Sequence, residues 1–275
     1  MIVFPNAKIN IGLNIVEKRP DGYHNIETIM YPVPWTDILE IVPAAGSETT
    51  LTVSGRPVVC APEKNLVMKA YRALDRRIPL PPVDIFLHKI IPDGAGLGGG
   101  SADAAFTLTA INDMLCLGVS IENLAEIAAE IGADCPFFIY NKPMLATATG
   151  TELNGIDFSL KGYHIVIVKP QVSVPTAKAY AGVTPRRPET TLLDIILSSE
   201  PGKWSEKVVN DFEKTVFIEF PEISDIKTQL YAMGADYAAM SGSGSAVFGL
   251  FKECDNLADS LKTRFAGCDI FTAQL

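Results

Sequence analysis

Apolar and polar positions alternate near the start of the chain, where Ile9, Ile11 and Leu13 face one way and Lys8, Asn10 and Gly12 the other. A period of two predicts a strand. The same alternation in DILEIV (37–42) and TLTVSG (50–55), with the β-branched run IETIMYPV (26–33), makes the first section rich in strands. Between them RPDGYH (19–24) reads as a turn, with Pro20, Asp21 and Gly22 in favoured turn positions. The period lengthens in APEKNLVMKAYRALDRRI (61–78), which predicts a helix with a proline near its start, Asn65 in a capping position and a basic end. VDIFLHKII (83–91) is an apolar, β-branched run that predicts a buried strand. In AAFTLTAINDML (104–115), Phe106, Ala110, Ile111, Met114 and Leu115 recur at helical spacing. Ser120 caps a further helix, with Asn123 at its third position and Gly132 at its end.

The second half mixes the two periods. GYHIVIVKPQVSVPTAKAY (162–180) reads as a strand and then a loop ending at Tyr180, TPRRPETT (184–191) as an exposed proline-rich segment, and LLDIILSS as helix. Residues 205–234 read as helices, ADYAAMSGSGSAVFGLF (235–251) as strand, turn and strand, KECDNLADSLKTRF as helix and DIFTAQL as strand. The expected fold class is therefore α+β. A change of composition near residues 150–160 sets the expected domains at 1–155 and 156–275.

Between the strand at 83–91 and the helix at 104–115 lies PDGAGLGGGSADAA, Pro92 to Ala105, with five glycines from Gly94 to Gly100. Glycines let backbone N–H groups converge on a ligand, and a helix start adds unpaired N–H groups and a partial positive charge. Together they suit a phosphate. Ser101 is expected near the N-cap, where its hydroxyl can serve the helix, a phosphate or magnesium. Asp103 falls in the first turn, and because a carboxylate repels phosphate, capping is its favoured role. Gly94, Gly96 and Gly99 spell the dinucleotide-binding GxGxxG, but no strand ending in an acid follows about 20 residues on. Nor does a Gly-Lys-Ser or Gly-Lys-Thr follow, which excludes a Walker A loop.

Charge and composition narrow the partners. In 275 residues, 48% are hydrophobic and 20% charged, normal for a soluble globular chain of one large or two ordinary domains. The net charge of −9 argues against nucleic acid or an anionic membrane as partner, so an anionic substrate needs local positive charge. No apolar run approaches membrane-span length, and MIVFPNAKIN lacks the features of a signal peptide. Five cysteines stand singly, at 60, 116, 135, 254 and 268, which fits a reducing compartment, the cytoplasm, and not structural zinc.

A few polar residues stand out in apolar settings. Lys8 shares a strand face with Asn10; that window alone favours a solvated edge lysine over one pointing into a cleft. Tyr23 and His24 follow the turn and could stack on and hydrogen-bond a ring, or simply pack at a strand start. Asp134, in GADCPFF, is a costly carboxylate in an apolar segment unless partnered, with Lys8 the natural candidate and helix capping the alternative. Gly242, Ser243 and Gly244, flanked by Ser241 and Ser245, form either a hairpin turn or a loop that closes over phosphates.

PNAKINIGLNI (5–15), PDGAGLGGGSADAA (92–105) and MSGSGSAVFGLF (240–251) resemble the three motifs of the GHMP small-molecule kinases. RPDGYH, GADCPFF and VPTAKAY resemble segments of the branch acting on diphosphocytidyl-methylerythritol, so the likeness runs over nearly the whole chain. The resemblance implies a two-lobed fold of mixed and antiparallel sheets with helices, and an active site in the cleft between lobes. It implies ATP with Mg2+ as cofactor and phosphorylation of the substrate's 2-hydroxyl, a step of non-mevalonate isoprenoid synthesis. By that resemblance Asp134 is the general base and Lys8 orients it and polarises the hydroxyl. ATP contacts come from Asn65 and Lys89 at base and ribose, and from Pro92, Asp93, Gly94, Ala95, Gly96, Leu97, Gly98, Gly99, Gly100, Ser101 and Ala102 around the phosphates. Asn10, Tyr23, His24 and Tyr180 bind the substrate, the last stacking on cytosine, while Gly242, Ser243 and Gly244 support the phosphate loop. Many relatives carry two serines where this chain has Ser101-Ala102, so the metal ligands stay open. A homoserine- or mevalonate-type kinase is the alternative within the class, and a non-catalytic ATP-binding module the alternative outside it.

Overall fold

The computed structural model describes residues 1–58, 60–253 and 257–275. The chain forms two compact units that interleave along the sequence. Met1–Ala7, Trp35–Asp93 and Gly98–Lys142 make the first; Lys8–Pro34, Gly94–Leu97 and Pro143–Leu275 make the second.

In the first unit, strands Ile2–Val3, Ile38–Pro43, Val83–Lys89 and Thr50–Gly55 lie side by side in that order. The last pair is parallel and the others antiparallel. Val83, Ile85, Leu87 and Lys89 point inward while Phe86 and His88 are exposed, so this strand is buried on one face only.

Helices α1 (Leu66–Asp75), α2 (Gly99–Met114), α3 (Ile121–Ala129) and α4 (Cys135–Tyr140) pack together, with α2 also against strand Ile38–Pro43. The helix expected over 61–78 is divided. Pro62–Lys64 makes one 3-10 turn, and Asn65 then leaves helical geometry (φ −61°, ψ 138°) to restart the chain as N-cap of α1. Its side chain accepts from Val67 N–H at 2.9 Å, the local bond by which asparagine competes with a continuous helix. Ser120 caps α3 as expected, accepting from Asn123 N–H at 3.3 Å. Helix α2 is buried along Ala102, Ala104, Ala105, Leu108, Ala110 and Ile111; these mostly small side chains let its neighbours approach closely.

In the second unit, Tyr237–Met240, Val247–Phe251, His164–Lys169 and Asp269–Gln274 form an antiparallel sheet in that order, covered by helix Pro221–Ala232. A further sheet, lying mostly in this unit, orders Asn6–Lys18, His24–Thr36, Met144–Thr147 and Glu152–Gly155. The expected turn joins its two long strands: Gly22 N–H donates to Arg19 C=O at 3.1 Å. The core around Val166, Val168, Phe212, Ile226 and Leu230 fills the space between sheet and helices. The last helix expected from the sequence is described over Leu257–Arg264; residues 254–256, with Cys254, lie outside the described residues. Cys60, Cys116, Cys135 and Cys268 are free thiols. Among the described residues no helix is long and apolar enough to cross a membrane.

Phe137, on α4, is wholly buried. Phe137→Ala is expected to lower unfolding stability by about 3–5 kcal/mol, measured by urea denaturation; a loss under about 1 kcal/mol would contradict the packing described.

Candidate active site

The glycine-rich stretch begins and ends in the first unit, with Gly94–Leu97 in the second. In the second unit that short segment is fixed by backbone bonds. Lys8 N–H donates to Leu97 C=O at 2.9 Å and Ala246 N–H to Ala95 C=O at 3.1 Å. Ser241 Oγ donates to Gly96 C=O at 2.9 Å. Gly96 has φ +74°, and a Cβ there would run into the Ser241 carbonyl, so only glycine fits. The Ser241–Ser245 segment is a hairpin turn: Ser241 N–H donates to Ala246 C=O and Gly244 N–H to Ser241 C=O, each at 2.9 Å. Gly242 lies against Gly96 and Asn10.

Lys8 and Asn10 are both buried, at 3% exposure, which overturns the edge-lysine reading of that window. Strand Asn6–Lys18 is buried along both faces from Ala7 to Leu13, a condition that alternation alone does not reveal. Lys8 Nζ donates to Asn10 Oδ1. Asn10 Nδ2 donates to Thr28 Oγ1 at 3.1 Å, and Asn10 N–H to Ser241 Oγ at 3.2 Å. One polar chain thus joins Lys8, Asn10, Ser241 and Gly96.

Tyr180 sits on a short helix, α5 (Thr176–Ala181), and not in a loop as the proline-spaced sequence predicted. Pro175 precedes that helix, where its missing N–H costs nothing. The Tyr180 ring stacks on His24, centroids 5.0 Å apart and planes 23° off parallel, and meets Phe212 edge-on at 4.7 Å. Tyr23 is 68% exposed. The Ser243 and Thr176 hydroxyls lie 3.2 Å apart, which ties the hairpin turn to α5.

In the first unit a cavity of about 240 Å³ is lined by Arg56, Asn65, Lys89, Asp93, Gly100 and Asp103, among others. Asn65 and Lys89, widely separated in sequence, therefore meet at one hollow. Gly98, at φ +72°, opens α2, so Ser101 lies inside the helix and not at its cap. Burial pushes the Cys135 thiol, beside Ser101, up to about 11. Asp134, half-buried, heads α4 without its side chain capping that helix. Among the described residues no group of three His, Cys, Asp or Glu side chains could hold a metal ion.

Asp103 does not cap α2 either. It is buried at 2% exposure and accepts from Lys89 Nζ at 2.7 Å. Lys89 also pairs with the buried Asp37, which the sequence reading passed over as the first residue of an alternating strand. Burial raises the Asp103 carboxyl from its ordinary 3.8 to about 7, against the pull of Lys89 and with help from Asp37. Asn210 was also missed. Its amide donates to the carbonyls of Met240 and Gly242, each at 2.8 Å, and holds the hairpin turn in place.

Two family models match the chain: GHMP kinases N terminal domain over residues 65–142 and GHMP kinases C terminal over residues 197–266. The chain belongs to the GHMP kinases. It is 54% identical over 275 residues, all of both chains, to the 4-diphosphocytidyl-2-C-methyl-D-erythritol kinase of Parabacteroides distasonis. A crystal structure of 4-(cytidine 5'-diphospho)-2C-methyl-D-erythritol kinase, 31% identical, matches with a TM-score of 0.84 over 99% of this chain and 98% of that one. The Methanococcus jannaschii mevalonate kinase, 16% identical with a TM-score of 0.76 over 100% and 98%, shares the fold alone. The α+β GHMP kinase fold expected from the motifs is the fold found.

Because the folded carboxyl of Asp103 titrates above its unfolded value, the folded protein holds that proton more tightly. Its contribution to stability therefore falls as pH rises from 3.8 to about 7. Thermal midpoints measured at about pH 5 and about pH 8 should fall more in the unmodified protein than in Asp103→Asn. Equal falls would mean that Asp103 is ionised throughout.

Proposed function

We propose that this GHMP kinase transfers the γ-phosphoryl group of ATP to the 2-hydroxyl of 4-diphosphocytidyl-2-C-methyl-D-erythritol. The reading rests on 54% identity, over the whole of both chains, to a kinase named for that substrate. The competing homoserine- and mevalonate-type readings have support only at the level of the fold, the mevalonate kinase being 16% identical.

The site geometry supports the same chemistry. Phosphoryl transfer needs positioning and charge neutralisation more than covalent help from the protein. In our reading the phosphates lie against the N–H groups of Gly94–Gly100 and the start of α2, and the nucleoside occupies the cavity beside Asn65 and Lys89. Cytosine is held by Tyr23, His24 and Tyr180. The last two rings face each other, so a planar base stacks on an outer face or parts the pair. Asn10 helps to place the erythritol chain. The substrate oxygen forms its bond to the γ-phosphorus, the bond to ADP breaks, and the hydroxyl proton passes to the Asp134 carboxylate. Lys8 polarises that oxygen. Its burial keeps the ammonium from bulk water, where its field would be weakened. Magnesium carried by the nucleotide's phosphates would lie beside Ser101 and would neutralise their charge. Residues 1–155 would carry ATP and 156–275 complete the substrate site. The free thiols suit a cytoplasmic enzyme.

The test is ATP consumption by the purified protein with magnesium and, separately, diphosphocytidyl-methylerythritol, homoserine and mevalonate. Turnover on the cytidine compound alone is expected; turnover on another alcohol alone would overturn the substrate assignment, and ATP binding without turnover on any would favour a non-catalytic module. Asp134→Ala should cut kcat by about 100-fold or more with ATP affinity within about threefold of the original. Normal turnover in that variant would remove Asp134 from its role.

A further inference from the structure

Lys89, Asp37 and Asp103 form a buried cluster that touches the glycine-rich stretch at both of its roots. Lys89 ends the strand before that stretch, and Asp103, just past Ala102, belongs to the helix after it. Asp37 comes from a third place, the joint between strands His24–Thr36 and Ile38–Pro43. Both of its carboxylate oxygens are engaged. Oδ1 accepts from Ile90 N–H at 2.5 Å and Ile91 N–H at 2.9 Å, and Oδ2 accepts from Lys89 Nζ. Lys89 Nζ reaches across to Asp103 Oδ2 at 2.7 Å. The same ammonium lies 3.4 Å from where a Cβ on Gly99 would stand, directly under the start of α2.

This arrangement changes what Lys89 is able to do. A lysine just upstream of a phosphate loop looks like a phosphate ligand. Here it is 6% exposed and holds two carboxylates. Removing one member of a buried charge cluster leaves the others without compensation, so the parts act together. Asp37 is the stronger arm, since Asp103 Oδ1 has no hydrogen-bond partner.

We propose that Asp37 is a positioning residue for nucleotide binding: through Lys89 and the N–H groups of Ile90 and Ile91 it fixes the roots of the loop that receives the ATP phosphates. The inference rests on the reading of that loop as an ATP site. Lys89 then serves ATP by placing backbone donors and not by touching phosphate.

The two roles predict opposite signs. With positioning, Asp37→Asn and Lys89→Met each weaken Mg·ATP binding by about tenfold, measured by calorimetry, and the double variant is no weaker than either single one. The affinity for diphosphocytidyl-methylerythritol, measured without ATP, should stay within about twofold. With direct phosphate contact, Asp37→Asn frees the ammonium and leaves ATP binding unchanged or tighter, which would overturn the proposal. Amide hydrogen exchange without ligand supplies a readout independent of ATP. In Asp37→Asn, exchange over residues 90–102 should rise about tenfold while peptides elsewhere stay within about twofold. A uniform rise would show general destabilisation and contradict a positioning role. Should Asp37→Asn not fold, Asp37→Glu keeps the charge but displaces it by one methylene, and the same two readouts apply. If the unmodified protein binds no ATP, the functional reading fails, and the exchange pattern still decides whether Asp37 sets the loop.

Discussion

A backbone contact that only glycine permits ties together distant segments of the second unit. The Ser241 carbonyl occupies the space where residue 96 would carry a Cβ, and φ at that residue is +74°. Around this approach the Ser241 hydroxyl, the Asn10 N–H and the Lys8 N–H all find partners, so segments far apart in sequence share one polar chain. Any larger residue at 96 would force those bonds apart together. The close approach explains why two small-residue stretches, one in the middle of the chain and one near its end, occur in the same protein.

Three lysines are buried among the described residues of this acidic chain, and two of them, Lys8 and Lys89, are stabilised differently. Lys8 donates to an asparagine that is itself held by Thr28. Lys89 sits between two carboxylates. Burying a charge is costly unless it is paired and hydrogen-bonded, so neither position is a place where lysine would persist for packing alone. In the proposed function the first addresses the reacting hydroxyl and the second holds the frame of the phosphate loop.

Local rules made part of this legible in the sequence. The turn at Arg19–Tyr23, the Asn65 and Ser120 caps and the strand–loop–helix order around the glycines depend on neighbours in sequence, and the structure has them. Tertiary packing decided the rest. Lys8 alternates like an edge residue because period two cannot tell a strand buried on both faces from one with a wet face. Tyr180 was placed in a loop because helix α5 is too short for a periodic signal. Asp37 gave no motif; an acid at the start of an alternating strand was its only trace, and the donors to its side chain lie more than fifty residues away.

The most direct test of the central claim is a crystal structure of the protein with magnesium, a non-hydrolysable ATP analogue and diphosphocytidyl-methylerythritol. Phosphates are expected against the amides of Gly94–Gly100, the adenosine beside Asn65 and Lys89, and cytosine stacked at His24 and Tyr180. Phosphates bound away from the glycine-rich loop, or coordinated by the Lys89 ammonium, would contradict it.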